Sequence, residues 1–308
     1  MDRNTRPLTP RLAALLAVFA ATAGLAPGLA NAAIADKDVA RMVSFGGACA
    51  RCELSGRKLN GAQFMGANFS GSALVGSDLR DARFFGANFA GADLSRADLS
   101  DSEMVGANFA GATMTDARLR SVNAKGVNFA AANLTRVDMR DSEAPGANFA
   151  KANIASGRFQ ASSMNGANFT KADARGASFR DAELSGASMS GGRFEQASFR
   201  DSDLDGANLA GATFAGADFR DASLRHANIA GVDFSRTQGL DQDQIDEACG
   251  DASTRLPPGL MARTCSRKVR FVVNRAPAPA VRAVPVHPAM PPAPPAPPAA
   301  PRYIVSND

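Results

Sequence analysis

The sequence predicts an all-β solenoid of square cross-section, and two superimposed periods carry the prediction. A hydrophobic residue recurs every five positions from Leu54 to Phe234, without an insertion or deletion. A period of five fits neither an α-helix nor a simple strand, so the chain must turn a corner in each unit. Near copies of Gly-Ala-Asn-Phe recur every 20 residues between Gly66 and Phe169. Four five-residue units therefore make one coil.

Each unit is predicted to point one large and one small residue inward, the small one two positions before the large one. If residues 20 apart lie above one another at the strand spacing of ~4.8 Å, identical side chains stack inside the rod. One such column consists of Phe69, Phe89, Phe109, Phe129, Phe149 and Phe169. Arg57 breaks the small-residue rule and predicts an irregular first coil. Gly157 and Gly192 occupy small positions and predict thin spots in the core.

The units resemble those of a known family. Ala-Asn-Phe-Ala-Gly, Ala-Asp-Leu-Ser-Arg and Ala-Asn-Leu-Ala-Gly are similar to the A(D/N)LXX units of pentapeptide-repeat proteins, and the resemblance covers residues 52–236. It implies a right-handed quadrilateral β-helix. At four units a coil and ~4.8 Å per coil, about nine coils would form a rod roughly 45 Å long.

The N-terminal residues 1–32 have the pattern of a signal peptide. Arginines precede an apolar run from Leu12 to Leu25, and Ala30-Asn31-Ala32 has the small-x-small form of a cleavage site. The run is too short for a membrane span. We therefore expect cleavage after Ala32, a periplasmic or secreted location, and an N-terminal cap over residues 33–51.

Residues 237–265 are expected to cap the other end of the rod, because an open solenoid end exposes unpaired strand edges. Asp241 and Gln244 have the spacing of a capping box, and Leu240 with Ile245 that of a hydrophobic staple. These signals predict a short helix over 242–249, with Gly250 as its stop. The segment 239–259 also resembles the terminal extension of exported bacterial pentapeptide-repeat proteins.

Residues 266–308 form a basic tail rich in Pro and Ala, which is typical of a disordered segment with polyproline II character. Two interpretations stay open: a solvated spacer, or a segment that contacts anionic envelope polymers or lipid headgroups. The chain as a whole carries a formal net charge of +4.

The sequence offers no catalytic constellation, cofactor motif or metal site. His226 and His287 are the two histidines, and neither has a partner at a catalytic or metal-ligand spacing. The four cysteines divide between the two ends of the rod, which excludes one four-cysteine zinc site in a monomer. We predict a disulfide between Cys249 and Cys265. Cys49 and Cys52 form either a second disulfide or, for Cys52, part of the core.

Arg-Asp dipeptides recur along one outer face and form the candidate interaction ribbon. Its most regular members are Arg180, Arg200, Arg220, Asp181, Asp201 and Asp221. One interpretation is a solvated face whose charges compensate each other. The other is a surface that binds a periodic anionic or zwitterionic partner.

These features favour a non-enzymatic, exported scaffold of the cell envelope, with an unidentified protein or an anionic envelope polymer as partner. They predict no nucleic-acid partner and no transmembrane span, and the rod ends could support homo-oligomers. The alternative is a DNA-mimicking protein that binds a topoisomerase. That function needs an acidic rod in the cytoplasm, and the predicted signal peptide and nearly balanced charge of residues 52–236 count against it.

Overall fold

A computed structural model of the chain describes residues 46–264. Single bridged residues pair in parallel with the residue 20 positions later, as in Asn68 with Asn88 and Ala73 with Asp93. The bridged residue is the one between the small and the large inward residue of each unit. The predicted β-helix solenoid with a 20-residue coil is confirmed.

We number the four faces of the rod by their bridged residues. Face 1 contains Ala73, face 2 Asp78, face 3 Arg83 and face 4 Asn88, each with its equivalents at 20-residue intervals. No longer strand is present among residues 46–264, because every face is only one unit wide. Backbone hydrogen bonds between coils repeat on every face, such as the bond from Leu99 N–H to Arg118 O (2.7 Å).

The core consists of the predicted columns. The rings of Phe89 and Phe109 are parallel within 2°, with centroids 4.8 Å apart. A second stack inside face 2 begins at Phe159 and has centroid separations of 5.0 to 5.1 Å. Rings on adjacent faces meet edge to face, as do Phe64 and Phe69 (4.9 Å, 87°). The side chains of the rod fill its interior at van der Waals contact.

The corners lie two residues after each large inward residue, and their backbone is left-handed. After face 3 the corner is glycine in every coil from Gly66 to Gly206, with φ between 61° and 67°. After face 2 it is mostly aspartate, as at Asp101 (φ 60°) and Asp181 (φ 56°). Asp and Asn tolerate this region better than most residues. The corner aspartates of the predicted ribbon therefore have a backbone role.

The expectation of thin spots at Gly157 and Gly192 is wrong. A Cβ added at position 157 would lie 2.6 Å from Cε2 of Phe159, and one at 192 would lie 2.6 Å from Cε2 of Phe194. Each phenylalanine ring therefore occupies the space that the small side chain of its own unit would need. Glycine and phenylalanine form a complementary pair in these two units.

The first coil is also more regular than predicted. Glu53 and Lys58 bridge Ala73 and Asp78 in the common register, although Arg57 stands between them. Arg57 is only half-buried, whereas the small inward residues of most later units are fully buried. The bridges begin one unit before residue 52, at Ala48, and Cys49 (7% exposed) occupies a large inward position.

The C-terminal cap contains the one helix among residues 46–264, α1, at Gln242–Glu247. The capping box is confirmed, because Gln244 N–H donates to Asp241 Oδ1 and Asp241 N–H donates to Gln244 Oε1, both at 2.9 Å. Ile245 is fully buried, and Leu240 packs against the core. Helix α1 occupies the part of the chain where face 3 would otherwise have its next bridged residue after Ser223.

Helix α1 ends two residues earlier than predicted, and Gly250 is not its stop. Ala248 is extended (φ −88°, ψ 164°), and Cys249 bridges Asn228. Hydrogen bonds join Cys249 N–H to Ala227 O and Ile229 N–H to Cys249 O, both at 2.8 Å. Pairing with the last coil therefore ends the helix. Gly250 itself bridges Thr264.

Candidate interaction surface on face 2

The predicted ribbon lies on face 2. Its arginines follow Phe179, Phe199 and Phe219, whose stacked rings are 5.1 and 5.0 Å apart, so the arginine row has the same axial repeat. The corner aspartates form the adjacent row. The structure thus brings the six ribbon residues into two parallel rows, as the 20-residue period predicts.

The ribbon arginines do not pair mainly with the aspartate that follows them. Arg140 Nε donates to Asp138 Oδ1 at 2.7 Å, and Arg140 Nη2 donates to Asp138 Oδ2 at 2.6 Å. Arg80 with Asp78 and Arg220 with Asp218 form the same bidentate pair. We call this arrangement, in which an arginine is held by the bridged aspartate two residues before it, a latch.

The latches change the titration of their members. Hydrogen bonds from Arg140 hold the pKa of Asp138 below its usual value, and those from Arg220 do the same for Asp218. The partner arginines have raised pKa values for the same reason. A latched arginine is charged at physiological pH like any other arginine, but its donor fork is already occupied.

The three predicted ribbon arginines are in three different situations. Arg220 is latched, and its Cγ lies so close to Gly239 that any side chain at position 239 would collide with it. Arg200 Nε donates to Asp201 Oδ2 at 3.2 Å, which is the pairing the ribbon predicted. Arg180 is exposed and has no ion pair with any residue between 46 and 264.

A shallow polar groove runs along the corner between faces 1 and 2. Its lining includes Asp116, Arg118, Arg136, Asp138, Ser156 and Arg158. Arg136 makes a bidentate pair with Asp116 (2.7 Å for both bonds), and Arg118 lies 3.8 Å from Asp98. Arg158, by contrast, has no salt bridge within the described part of the chain. The sequence pattern did not single out Arg158.

Face 4 carries an asparagine ladder that the sequence analysis missed. Asn108 Nδ2 donates to Asn88 Oδ1 (3.0 Å), and Asn108 Oδ1 accepts from Asn128 Nδ2 (3.0 Å) and from Ala110 N–H (3.2 Å). The ladder runs from Asn68 to Asn168. The signal was present in the outward asparagine of each Gly-Ala-Asn-Phe copy. The ladder gives face 4 a central row of uncharged amides that are hydrogen-bonded from coil to coil.

At the N-terminal end, Cys49 and Cys52 form a disulfide, with Cα atoms 5.3 Å apart. Cys249 is disulfide-bonded as well. Its predicted partner Cys265 lies outside the described residues, so that pairing stays a prediction. The signal peptide, residues 33–45 of the N-terminal cap and the tail 266–308 also lie outside them.

Within residues 46–264 no group of His, Cys, Asp or Glu is placed to hold a metal ion. His226 is a corner residue (φ 57°), and its N–H donates to Glu247 O at 2.7 Å. His287 lies outside the described residues. The described part of the chain contains no helix of sufficient length and hydropathy to cross a bilayer.

The fold and its outer rows define a β-solenoid that presents side chains in fixed columns. Sequence comparison agrees: "Pentapeptide repeats" matches residues 49–86, 62–101 and 202–237, and "Pentapeptide repeat region" matches residues 112–189. Together the matches cover more than half of the chain. The chain belongs to the pentapeptide-repeat family. Proteins of this family are generally non-enzymatic structural or interaction proteins.

The solved structures to which this chain is similar include HetL of the cyanobacterium Nostoc sp. strain PCC 7120, a pentapeptide-repeat protein involved in heterocyst differentiation regulation. It is 21% identical, with 71% of this chain and 90% of HetL covered and a TM-score of 0.35. Full-length QnrB1, a plasmid-mediated fluoroquinolone resistance protein, is 21% identical over 69% of this chain and 94% of its own (TM-score 0.39). A pentapeptide-repeat protein from the Arabidopsis thaliana thylakoid lumen is 29% identical, with 42% of this chain and 79% of its own chain covered and a TM-score of 0.16. Comparison with curated proteins found no match.

Proposed function

We propose that the protein is a non-enzymatic, exported scaffold of the cell envelope that binds its partner along the outer faces of the rod. The observation that carries the proposal is that the inward side chains of the rod are buried and fill its interior, whereas the outward side chains face the solvent. The large inward side chains are 0 to 3% exposed from Leu54 to Phe234, so the interior is occupied by the protein's own residues. Function is left to the outer rows, whose spacing the stacked core fixes.

Export is supported by the signal-peptide pattern of residues 1–32 and by the cysteines. Cys49, Cys52 and Cys249 are all disulfide-bonded, which suits an oxidising compartment. Mass spectrometry of the native protein tests this step, and we expect an N-terminus at Ala33. An intact Met1 on a cytoplasmic protein would contradict export and would favour the alternative of a topoisomerase-binding protein.

The proposal includes the finer description of the rod. We take its winding as right-handed, as in the rest of the family, and its repeat region as about nine coils. The segment 266–308 then serves as a basic spacer or an additional contact. The row of asparagines on face 4 and the charged face 2 offer a partner two different surfaces, and the exposed arginine side chains of face 2 favour an anionic partner there.

The test is a crosslinked pulldown from the cell envelope with the mature protein. The variant Arg180→Glu, Arg200→Glu, Arg220→Glu removes the positive row of face 2. A matched variant, Arg83→Glu, Arg193→Glu, Arg225→Glu, makes the same change in net charge on faces 1 and 3. We expect the face 2 variant to lose its crosslinked partner and the matched variant to keep it, with melting temperatures that show an intact fold in both. Equal capture by both variants would remove the ribbon as the binding surface.

A further inference from the structure

The latches follow a simple rule, and Arg180 lacks the aspartate that the rule requires. Wherever a bridged aspartate precedes an arginine by two positions, the two form a bidentate pair. The four examples are Asp78 with Arg80, Asp138 with Arg140, Asp173 with Arg175 and Asp218 with Arg220. At Arg180 the bridged position holds Ser178 instead. The guanidinium of Arg180 is therefore without the bridged carboxylate that holds Arg80, Arg140 and Arg220.

A second arginine lies next to Ser178, the position that holds an aspartate in a latch. Arg158 bridges Ser178 directly, so it occupies the same position one coil earlier. Residues in a diagonal relation on neighbouring strands, such as Arg158 and Arg180, are ~7–8 Å apart at their Cα atoms, within reach of long side chains. Both arginines lack an ion pair within residues 46–264.

The acidic groups around this pair are mostly engaged. Asp138, one coil before Arg158, is held by Arg140, and Asp201 is held by Arg200. Asp181 is a corner residue with left-handed backbone beside Arg180, and it makes no ion pair with another described residue. Ser198, in the next coil, repeats the serine at the bridged position. The net charge of face 2 between the latches of Arg140 and Arg220 is therefore positive.

We propose that Arg158, Ser178 and Arg180 form a carboxylate-binding subsite that receives an aspartate or glutamate side chain from an acidic segment of a partner protein. This inference rests on the proposed function and identifies the partner's chemistry. The incoming carboxylate takes the place that Asp138 and Asp218 occupy beside Arg140 and Arg220. Arg180 donates to both of its oxygens, the Ser178 hydroxyl supplies a further donor, and Arg158 adds charge from the neighbouring coil.

The geometry favours a carboxylate because the same surface already binds carboxylates in this way. In the Arg140 latch the two nitrogen-to-oxygen distances are 2.7 and 2.6 Å, which is the fork-to-fork arrangement of a planar guanidinium with a planar carboxylate. The latches serve as internal examples of the complex. They also suggest a substitution that should block the subsite, Ser178→Asp, because the new carboxylate would pair with Arg180 in place of the partner's carboxylate.

The test compares Ser178→Asp with Ser188→Asp in the mature full chain. Ser188 occupies the same bridged position ten residues on, half a coil away on face 4. Both variants change the net charge equally and keep the same basic tail. The probe is hexaglutamate with a rhodamine label, measured by fluorescence anisotropy at low salt, with a hexaglutamine peptide and a polyphosphate of equal charge in parallel.

We expect Ser178→Asp and Arg180→Ala each to weaken hexaglutamate binding at least fivefold, and Ser188→Asp to change it less than twofold. Ser178→Asp should not lower the melting temperature, because the new aspartate completes a latch. Equal affinities of Ser178→Asp, Arg180→Ala and the unaltered protein would overturn the subsite. So would a loss on Ser178→Asp that affects polyphosphate but not hexaglutamate.

The two proposals fail in different ways. If Ser178→Asp loses hexaglutamate but the face 2 triple variant keeps its crosslinked envelope partner, the subsite stands and the proposed function on face 2 is wrong. If the triple variant loses its partner while Ser178→Asp binds hexaglutamate normally, the function stands and the subsite is wrong.

Discussion

Phe109 and Asn108 are neighbours in the chain but stabilise the rod in different ways. Phe109 is fully buried between Phe89 and Phe129, and Asn108 takes part in the ladder on face 4. The inward role was predictable from the sequence, because ring stacking follows from a 20-residue period. The asparagine ladder and the latches were missed because they depend on which side-chain atoms meet across coils, and the period gives only the columns.

We expect Phe109→Ala to lower the free energy of unfolding by about 3–5 kcal/mol, since it removes a ring from a filled column. Asn108→Ala should cost about 1–2 kcal/mol because it breaks three side-chain hydrogen bonds. Thr115→Ala, on the outside and without a side-chain bond, should cost less than about 0.5 kcal/mol. Denaturant unfolding measures all three. Equal costs for Phe109→Ala and Thr115→Ala would contradict the assignment of inside and outside.

The Gly157 and Phe159 pair gives a second prediction at this scale. Gly157→Ala places a methyl group 2.6 Å from the Phe159 ring and 2.9 Å from Ile154 O. We expect a loss of about 1–3 kcal/mol from overpacking. The double variant Gly157→Ala, Phe159→Leu should recover part of the loss, because the ring that the added methyl group would meet is then absent, and the rod already holds alanine with leucine, as at Ala92 and Leu94. An unchanged melting temperature in Gly157→Ala would show that the space is empty.

Among the elements, α1 was predicted with its correct start and an incorrect end. The N-terminal signals are local, because Asp241 and Gln244 interact with each other. The end depends on the distant pairing of Cys249 with Asn228, which no local pattern contains. Gln244 also exceeds its expected role. Its Nε2 donates to Phe219 O (2.9 Å) and Ala222 O (2.7 Å), so it covers carbonyls of the last coil.

Gln244→Ala should therefore cost about 1–2 kcal/mol, more than the loss of a capping box alone, since Phe219 O and Ala222 O lose their amide donor. Gln244→Glu is the matched variant. It keeps the acceptor for Asp241 N–H but cannot donate to the two carbonyls. Hydrogen exchange of the last coil should rise in both variants. Unchanged protection in Gln244→Glu would mean that the amide donor does not hold the cap.

The loop after α1 predicts the behaviour of the cap in acid. Asp251 accepts from Ser253 N–H (2.9 Å) and Gly231 N–H (3.0 Å), and hydrogen bonds lower its pKa to about 2 from an ordinary value of 3.8. A lowered pKa stabilises the fold above the unfolded value and loses this contribution as the pH falls from about 4 toward 2. The melting temperature should fall in this window, and Asp251→Asn should reduce the fall. An identical acid profile in Asp251→Asn would exclude Asp251 as a contributor.

At the scale of the whole molecule, regularity is what the sequence predicted best. Every coil from Ala48 to Gln238 keeps the 20-residue register, and the register first changes where Cys249 and Arg255 pair with the last coil. Arg57 did not disturb it, and the residue is only half-buried near the end of the rod. The candidate subsite was only half predictable. The Arg180 row follows from the period, but its missing counterion is visible only beside the completed latches.

The constant rise per coil is the basis of the account, because it fixes the spacing of every outer row. Double electron–electron resonance measures it directly with spin labels on face 4. Five coils separate positions 110 and 210, and six separate 90 and 210, so Ala110→Cys with Ala210→Cys should give about 24 Å and Ala90→Cys with Ala210→Cys about 29 Å. Increments that differ clearly from ~5 Å per 20 residues would contradict the solenoid and the binding surface built on it.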